Sequence, residues 1–227
     1  VTGATGSGKT STLAALIDHI NRTQRKHIVT IEDPIEFLHS NIQSSISQRE
    51  IGIDTRSFQV ALRSALRQDP DVILVGEMRD IETIDIALKA AETGHLVLST
   101  VHTVDAATTI ARLVSVFPSE EQIAVRLRLA DNLKASISQR LLPRSDGRGR
   151  VLAQEILVQT GSVQEHIRDP QQTSGLKDVL TKGTDSYGMQ TFDQHLTTLF
   201  RQGLVTLEAA KAAATNPADF ERALHFT

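Results

Sequence analysis

The chain begins with a glycine-rich stretch whose residue types and spacing could bind phosphate. It matches the pattern G-x-x-x-x-G-K-[ST] at every fixed position and precedes an amphipathic stretch, which disfavours the alternative of a flexible turn. The glycines allow backbone N–H groups to turn onto phosphate oxygens. Lys9 can reach the β- and γ-phosphates of a nucleoside triphosphate, and the Thr10 hydroxyl can bind Mg²⁺. We therefore predict that the nucleotide is bound by Gly3, Ala4, Thr5, Gly6, Ser7, Gly8, Lys9, Thr10 and Ser11.

An acidic residue after a strongly apolar run could act on the same nucleotide. Val72–Val75 is continuously apolar, as expected of a strand that is covered on both faces, and Glu77 follows it. Glu77 could polarise a water molecule or hold it in line with the γ-phosphate. An acidic residue at this point could also simply favour the start of the next helix. The combination with the phosphate-binding loop favours the catalytic interpretation.

Three more carboxylates follow an earlier apolar run, in the acidic segment Glu32-Asp33-Pro34-Ile35-Glu36. In a parallel α/β sheet the carboxyl ends of the strands face the ligand. Carboxylates placed there could orient a water molecule bound to Mg²⁺. Since Asp-Pro is also common in turns, a solvated turn is an equally good interpretation from these residues alone.

Two histidines stand on either side of a short apolar run. His95 precedes Leu96–Leu98 and His102 follows it. A histidine here could sense the γ-phosphate and transmit that information to a neighbouring subunit. A metal pair is disfavoured, because the spacing across a strand is poor for two ligands and the chain has no cysteine to join them. Two structural, hydrogen-bonded histidines are the remaining alternative.

Helical and strand patterns alternate along most of the chain. The apolar periodicity predicts helices over residues 9–23 and 106–116, one beginning after Ser57 and one between Asp80 and Gly94. Strands are predicted over residues 1–3, 27–31, 72–75, 96–98 and 151–158. Beyond Gly161 the residues predict short helices joined by turns. This alternation predicts an α/β fold with a parallel sheet.

The composition excludes several classes of function. The formal net charge is −3 and only 4% of the residues are aromatic, which gives neither a basic groove nor a stacking platform for nucleic acid. The absence of cysteine excludes disulfides and thiol catalysis. No apolar run approaches the roughly 20 residues that span a bilayer. We expect a cytoplasmic protein that reaches a membrane only through its partners.

Taken together, the motifs resemble those of the type IV pilus retraction ATPases, the twitching-motility motors of the secretion ATPase superfamily. The order and spacing are similar for GATGSGKT, IEDPIEF, QREIG, ALRQDPDVILVGEMRD and AETGHLVLSTVHT. The similarity continues through ARLVSVFPSEEQ, SQRLLPRSDGRGRV, YGMQTFDQHL and NPADF, and so covers nearly the whole chain.

The resemblance implies a fold, an assembly and roles for individual residues. It implies a RecA-like P-loop core over residues 1–160, a C-terminal helical region over residues 161–227, and a homo-hexamer that hydrolyses ATP with Mg²⁺ at its subunit interfaces. It further implies a location at the cytoplasmic face of the inner membrane, with a pilus platform protein as partner and no nucleic acid. The catalytic residues that it implies are the acidic-segment glutamate Glu36, the strand-end glutamate Glu77, and the histidine pair His95 and His102.

Two related functions stay open. Pilus-assembly and type II secretion ATPases usually carry a four-cysteine zinc motif, so a chain without cysteine favours retraction. Retraction motors also carry a motif that reads roughly AIRNLIRE, and the matching residues Ser162–Asp169 differ in their first half. This difference favours an accessory, nucleotide-binding paralogue that regulates a sister motor.

The resemblance also implies elements upstream of this chain. The family has a PAS-like domain before the core, and its phosphate-loop strand and its interface arginines lie ahead of the loop. We therefore expect residues 1–227 alone to bind nucleotide poorly and to hydrolyse it slowly.

Overall fold

The computed structural model describes residues 1–225 of the chain, and these form two compact units. The first unit consists of Val1, Lys9–Val101 and Arg112–Asn132. The second unit consists of Thr2–Gly8, His102–Ala111 and the residues from Leu133 onward. Residues 226 and 227, the end of the predicted C-terminal region, lie outside the described residues.

The strands and helices have the following bounds. The strands are β1 (Thr2–Gly3), β2 (His27–Glu32), β3 (Ser45–Glu50), β4 (Val72–Val75), β5 (Leu96–Ser99), β6 (Ala135–Pro143) and β7 (Arg150–Val158). The helices are α1 (Lys9–Thr23), α2 (Phe58–Ala65), α3 (Ile81–Glu92), α4 (Ala106–Ser115), α5 (Gln122–Asn132), α6 (Gly161–Arg168), α7 (Leu176–Lys182), α8 (Thr184–Tyr187), α9 (Phe192–Arg201), α10 (Leu207–Ala213) and α11 (Pro217–His225). None of the helices in the described part of the chain combines the length and apolar character needed to cross a membrane.

The first unit is built on a four-stranded parallel sheet with the strand order β3-β2-β4-β5. Successive residues of β2 and β4 point to opposite faces, and both faces are apolar. One face packs against α1 through Leu13, Ile17, Ile20, Ile28, Val72 and Leu74. The other packs against α2 and α3 through Val29, Ile31, Ala61, Leu62, Ala65, Ile73, Val75, Ile86, Ala87 and Ala90. The predicted parallel α/β arrangement is confirmed in this unit.

Side-chain caps begin the two helices on the second face, as the sequence predicts. Ser57 Oγ accepts the N–H of Val60 at 3.3 Å, at the start of α2. Asp80 accepts the N–H of Thr83 at 2.9 Å, at the start of α3. Each cap satisfies an N–H group that has no partner within its own helix.

The second unit combines a three-stranded sheet with the C-terminal helices. Its strand order is β1-β6-β7, in which β1 runs parallel and β7 antiparallel to β6. The sheet and helices α9, α10 and α11 share one apolar core, formed by Leu142, Ala153, Phe192, Leu196, Leu199, Val205, Ala210 and Phe220. Residues 161–225 therefore pack in the same unit as β6 and β7, while the domain boundary at residue 160 stays a prediction.

The sequence prediction missed strands β3 and β6. β3 is an edge strand with the polar sequence SISQRE, and its side chains are exposed or half-buried, so it lacks the apolar run that marks β2 and β4. β6 contains Ser136, Ser138 and Gln139, which are buried polar residues and interrupt the apolar alternation. Tertiary pairing, rather than local pattern, makes both segments into strands.

A carboxylate joins the beginnings of β2 and β4. Asp71 Oδ1 accepts a hydrogen bond from Lys26 Nζ and Asp71 Oδ2 accepts one from the His27 N–H, each at 2.8 Å. The bond from Lys26, and then the bond from His27, hold the pKa of the Asp71 carboxyl below its usual value. A carboxyl with a lowered folded-state pKa stabilises the fold above its unfolded pKa, near 3.9, and loses that contribution as pH falls through the folded value.

We predict that Asp71→Asn destabilises the protein at pH 6 by less than about 1 kcal/mol, since solvent screens a half-exposed ion pair. The difference from the unmodified protein should shrink toward zero as the pH falls to 3. Urea denaturation at both pH values measures it, and Asp69→Asn, a change at an exposed neighbouring carboxylate, is the control. The same loss at both pH values would contradict this role for Asp71.

Candidate nucleotide-binding and catalytic site

The glycine-rich loop begins where β1 pairs with β6, and Gly3 lies opposite Gln139. A Cβ atom added at Gly3 would lie 2.5 Å from the carbonyl oxygen of Gln139 and 2.5 Å from Ser7 Oγ. The φ angle of Gly3 is 142°, which side chains rarely permit. Glycine is therefore required at this position by both the close approach of β6 and the backbone conformation.

A cavity of about 370 Å³ lies beside the loop within the second unit. Its wall comprises Gly3, Ala4, Thr5, Gly6 and Ser7 of the loop together with Val104, Gln139, Arg140, Leu141 and Arg150. A volume of this size falls in the range of small-molecule sites. The two arginines give the wall a positive charge, which suits an anionic ligand.

Ser7 and Arg140 support the fit of a phosphate-bearing ligand to this cavity. Ser7 is only 5% exposed, and its Oγ makes no hydrogen bond within the described residues 1–225, so a polar ligand would satisfy it. Arg140 stacks over the Phe192 ring, with Cζ 3.8 Å from the ring centroid, and donates to the carbonyl oxygen of Ala213. These contacts hold the guanidinium in place, and burial lowers its pKa.

Lys9, Thr10 and Ser11 follow the loop directly in the chain and form the first turn of α1, in the first unit. Lys9 is 8% exposed, Thr10 is half-buried and Ser11 is exposed. Burial lowers the pKa of Lys9, and the nearby carboxylate of Glu77 acts in the opposite direction. The structure therefore brings the predicted phosphate-binding lysine within electrostatic reach of the predicted catalytic glutamate.

Glu77 is held at the carboxyl end of β4. Its Oε2 lies 2.7 Å from an Arg79 guanidinium nitrogen, and its side chain is 22% exposed. The preceding residue, Gly76, donates its N–H to the carbonyl oxygen of Ile31 at 2.8 Å and accepts a hydrogen bond from Thr100 Oγ1 at 2.6 Å. Hydrogen bonds to β2 and to Thr100, the residue after β5, thus fix the chain just before Glu77.

The parallel register brings a second carboxylate to the same edge of the sheet. Ile31 pairs with Val75 and Val75 pairs with Ser99, so the residues that follow β2, β4 and β5 lie along one edge. Glu32, the last residue of β2, is 8% exposed and accepts a hydrogen bond from Thr30 Oγ1 at 2.7 Å. Glu36 follows in the connection from β2 to β3 and is exposed.

His95 is not brought to the edge of the sheet that carries Glu77. His95 precedes β5 and lies at the amino edge of the sheet, opposite the edge that carries Glu77. Its Nδ1 is 2.9 Å from the carbonyl oxygen of Ala90 and 3.0 Å from Thr93 Oγ1, so the ring is hydrogen-bonded to the C-terminal end of α3. His102 is exposed and belongs to the second unit. The catalytic roles of Glu36, Glu77, His95 and His102 stay predictions.

Arg140 and Arg150 were missed from the sequence. Each stands in a strand that the motifs did not assign to the nucleotide site, and only the pairing of β1 with β6 and of β6 with β7 carries them to the loop. An isolated arginine in a half-buried strand carries no local signal of ligand binding. The signal that could have found them is their place within SQRLLPRSDGRGRV, a stretch that is part of the family resemblance.

The chain is similar to several proteins whose names describe a function. The chain is 56% identical over 216 residues to the twitching motility protein of Neisseria gonorrhoeae, covering 95% of this chain and 57% of that protein. It is 51% identical over 220 residues to the type IV pilus retraction ATPase PilT of Pseudomonas aeruginosa, covering 97% of this chain and 63% of that protein.

A solved structure and a family model agree with these relatives. The crystal structure of the pilus retraction motor PilT with bound ADP has a TM-score of 0.88 and 50% identity, and the match covers 97% of this chain and 62% of that chain. This similarity confirms the predicted fold class, a RecA-like P-loop core with C-terminal helices. The chain spans less than two thirds of the length of each of these proteins. The model for the Type II/IV secretion system protein family matches residues 1–210, and the chain belongs to this family.

Proposed function

We propose that this chain is the ATPase core of a motor that hydrolyses ATP to drive type IV pilus retraction. One observation carries the proposal. The chain is at least 50% identical, over almost its whole length, to proteins named for pilus retraction and twitching motility. The glycine-rich loop, its cavity and the carboxylates at the strand ends supply the groups that such an activity needs.

In the proposed site the loop amides and Lys9 hold the phosphates of ATP, and Gly3 allows the loop its close approach to β6. The Thr10 hydroxyl, at the start of α1, would hold Mg²⁺, which neutralises charge on the phosphate oxygens. Arg140 and Arg150 add positive charge to the cavity wall. Hydrolysis of this kind depends mainly on positioning and on stabilisation of charge.

Glu77 is proposed to orient and polarise the attacking water molecule. Its carboxylate is anchored by Arg79 and acts near the buried ammonium group of Lys9. Glu36 assists from the connection that follows β2. His102 and His95 are proposed to couple the state of the nucleotide to a neighbouring subunit, and for His95 its contact with the end of α3 supplies a structural route.

The assembly and location are proposed from the same similarity. A homo-hexamer would complete its sites at subunit interfaces, and it would act at the cytoplasmic face of the inner membrane on a pilus platform protein. A paralogous motor ATPase is a further proposed partner, and no role for nucleic acid is proposed, since the net charge is −3.

A second candidate is an accessory paralogue that binds nucleotide and regulates a sister motor. The observation that favours it is the divergent first half of Ser162–Asp169. These residues form helix α6 and its C-cap, where Val163 and Ile167 are buried. The two candidates differ in whether this protein itself hydrolyses ATP.

Deletion of the complete gene tests the cellular role. A retraction motor should leave cells that carry pili but do not twitch, because assembly continues while withdrawal stops. Counting surface pili and measuring colony spreading in the same strain gives both readouts, with the restored gene as control. Cells that lose their pili would indicate an assembly ATPase and would contradict the proposal.

We predict that Gly3→Ala weakens ATP binding by the full-length protein by about tenfold or more, the cost of roughly 1–3 kcal/mol of backbone strain. Equilibrium titration with a fluorescent ATP analogue and Mg²⁺ measures it. Gly161→Ala is the matched control, because a Cβ atom there meets nothing within 4 Å. Equal affinities for the Gly3→Ala and Gly161→Ala proteins would refute the role of the loop.

We predict that Glu77→Gln lowers ATP turnover by about 10²-fold or more while ATP still binds, since the change removes a group that orients and polarises water. Steady-state phosphate release and nucleotide titration measure the two effects. Glu120→Gln, a change at an exposed residue, is the control. Equal, negligible turnover in the unmodified and Glu77→Gln proteins would instead support the accessory role.

A further inference from the structure

The residues around Glu36 have no helix or strand of their own, yet they are held closely. The connection from β2 to β3 covers residues 33–44, and Glu36 is exposed within it. An exposed side chain on such a connection ordinarily samples many conformations, which opposes a catalytic role that needs a fixed carboxylate. What holds the backbone beside Glu36 therefore matters to any function of this residue.

Gln48 of β3 binds the chain on the C-terminal side of Glu36. Its Nε2 donates to the carbonyl oxygen of Phe37 at 2.9 Å, and its Oε1 accepts the N–H of His39 at 2.9 Å. The same Nε2 donates to Glu32 Oε1 at 3.2 Å. One amide side chain thus joins the connection to the carboxylate at the end of β2.

Glu50 of β3 binds the chain on the N-terminal side of Glu36. Its Oε2 accepts the N–H of Ile35 at 2.9 Å. Backbone groups of Ile35 on one side of Glu36, and of Phe37 and His39 on the other, are therefore hydrogen-bonded to side chains of a single strand. Hydrogen bonds of this kind satisfy backbone groups that have no partner in regular structure.

The pairing of β3 with β2 explains why these two side chains act together. Gln48 lies opposite Thr30 and Glu50 lies opposite Glu32, in parallel register. Residues two apart in a strand point to the same face, so Gln48 and Glu50 share a face with Glu32. Arg49, which lies between them, and Ser47, which precedes Gln48, point to the other face. The QREIG stretch thus presents two hydrogen-bonding side chains to the connection that carries Glu36.

We propose that Gln48 is a positioning residue that, with Glu50, fixes the backbone on both sides of Glu36 and so holds its carboxylate in place for the hydrolysis step proposed at Glu77. This inference rests on the proposed function, because it requires that Glu36 assists ATP hydrolysis. It assigns to the polar edge strand β3 a role in catalysis through Glu36, without contact between Gln48 and the substrate.

A double-mutant cycle in the full-length protein tests the inference. Gln48→Met keeps the length of the side chain and removes its hydrogen bonds, and Glu36→Gln removes the carboxylate. Gln48→Met alone should lower kcat by about tenfold, as expected of a displaced catalytic group, with KM changed less than about twofold. In the Glu36→Gln protein the same change should lower kcat by less than about twofold, because residues that act through one another are not additive.

Three controls make the outcome specific. Ser47→Ala, at a neighbouring position on the other face of β3, should leave kcat unchanged. Glu50→Gln should retain most activity because its amide oxygen can still accept the Ile35 N–H, whereas Glu50→Met should behave like Gln48→Met. If Gln48→Met does not fold, the pair Glu50→Met and Glu50→Gln makes the same test.

The failures of the inference and of the proposed function give different results. An equal loss of kcat on Gln48→Met in both backgrounds would overturn the positioning role and leave the role of Glu36 intact. Unchanged turnover on Glu36→Gln would overturn the positioning role and the role of Glu36 together, since there would be no catalytic carboxylate to position, and would leave the proposed ATP hydrolysis intact. Negligible turnover in the unmodified protein would instead contradict the proposed function. A loss on Gln48→Met that appears only in thermal stability and not in kcat would also overturn the inference.

Discussion

The parallel, in-register pairing of β2, β4 and β5 is the constraint on which the rest of the first unit depends. It aligns the strand ends so that Glu32, Gly76 and Thr100 lie along one edge, and it fixes Gly76 between a carbonyl of β2 and the hydroxyl of Thr100. Both faces of these strands are covered by apolar side chains, so a shift of register by one residue would exchange the two buried sets and disrupt the packing against α1 on one face and against α2 and α3 on the other. The position of Glu77 follows from this pairing.

A second constraint of the same kind acts on the glycine-rich loop and on Glu36. Each is an irregular segment held by a neighbouring strand. The loop lies so close to the backbone of β6 that Gly3 admits no side chain. The residues beside Glu36 are hydrogen-bonded to the Gln48 and Glu50 side chains of β3. In both cases the strand supplies fixed partners that the segment itself lacks. Such positioning by a rigid strand is typical of loops that carry functional residues.

The sequence predicts the parts whose signals are local. The loop, the apolar strand β4 and the caps Ser57 and Asp80 each depend on neighbouring residues, and the structure places them as predicted. Long-range pairing could not be predicted, because β3 is polar and buried polar residues interrupt β6. Strand pairing brings Gln48 beside β2, and it brings Arg140 and Arg150 to the cavity beside the loop. For His95 the prediction gave two roles, and the structure adds a contact with Ala90 that supports the structural one without testing the catalytic one.

The most direct test of the account is a crystal structure of the full-length protein with a non-hydrolysable ATP analogue and Mg²⁺. The account predicts phosphate oxygens bound by the amides of the glycine-rich loop and by Lys9, Mg²⁺ on the Thr10 hydroxyl, and an ordered water molecule within hydrogen-bonding distance of Glu77. An analogue bound elsewhere, or a loop that stays empty at saturating analogue, would contradict it.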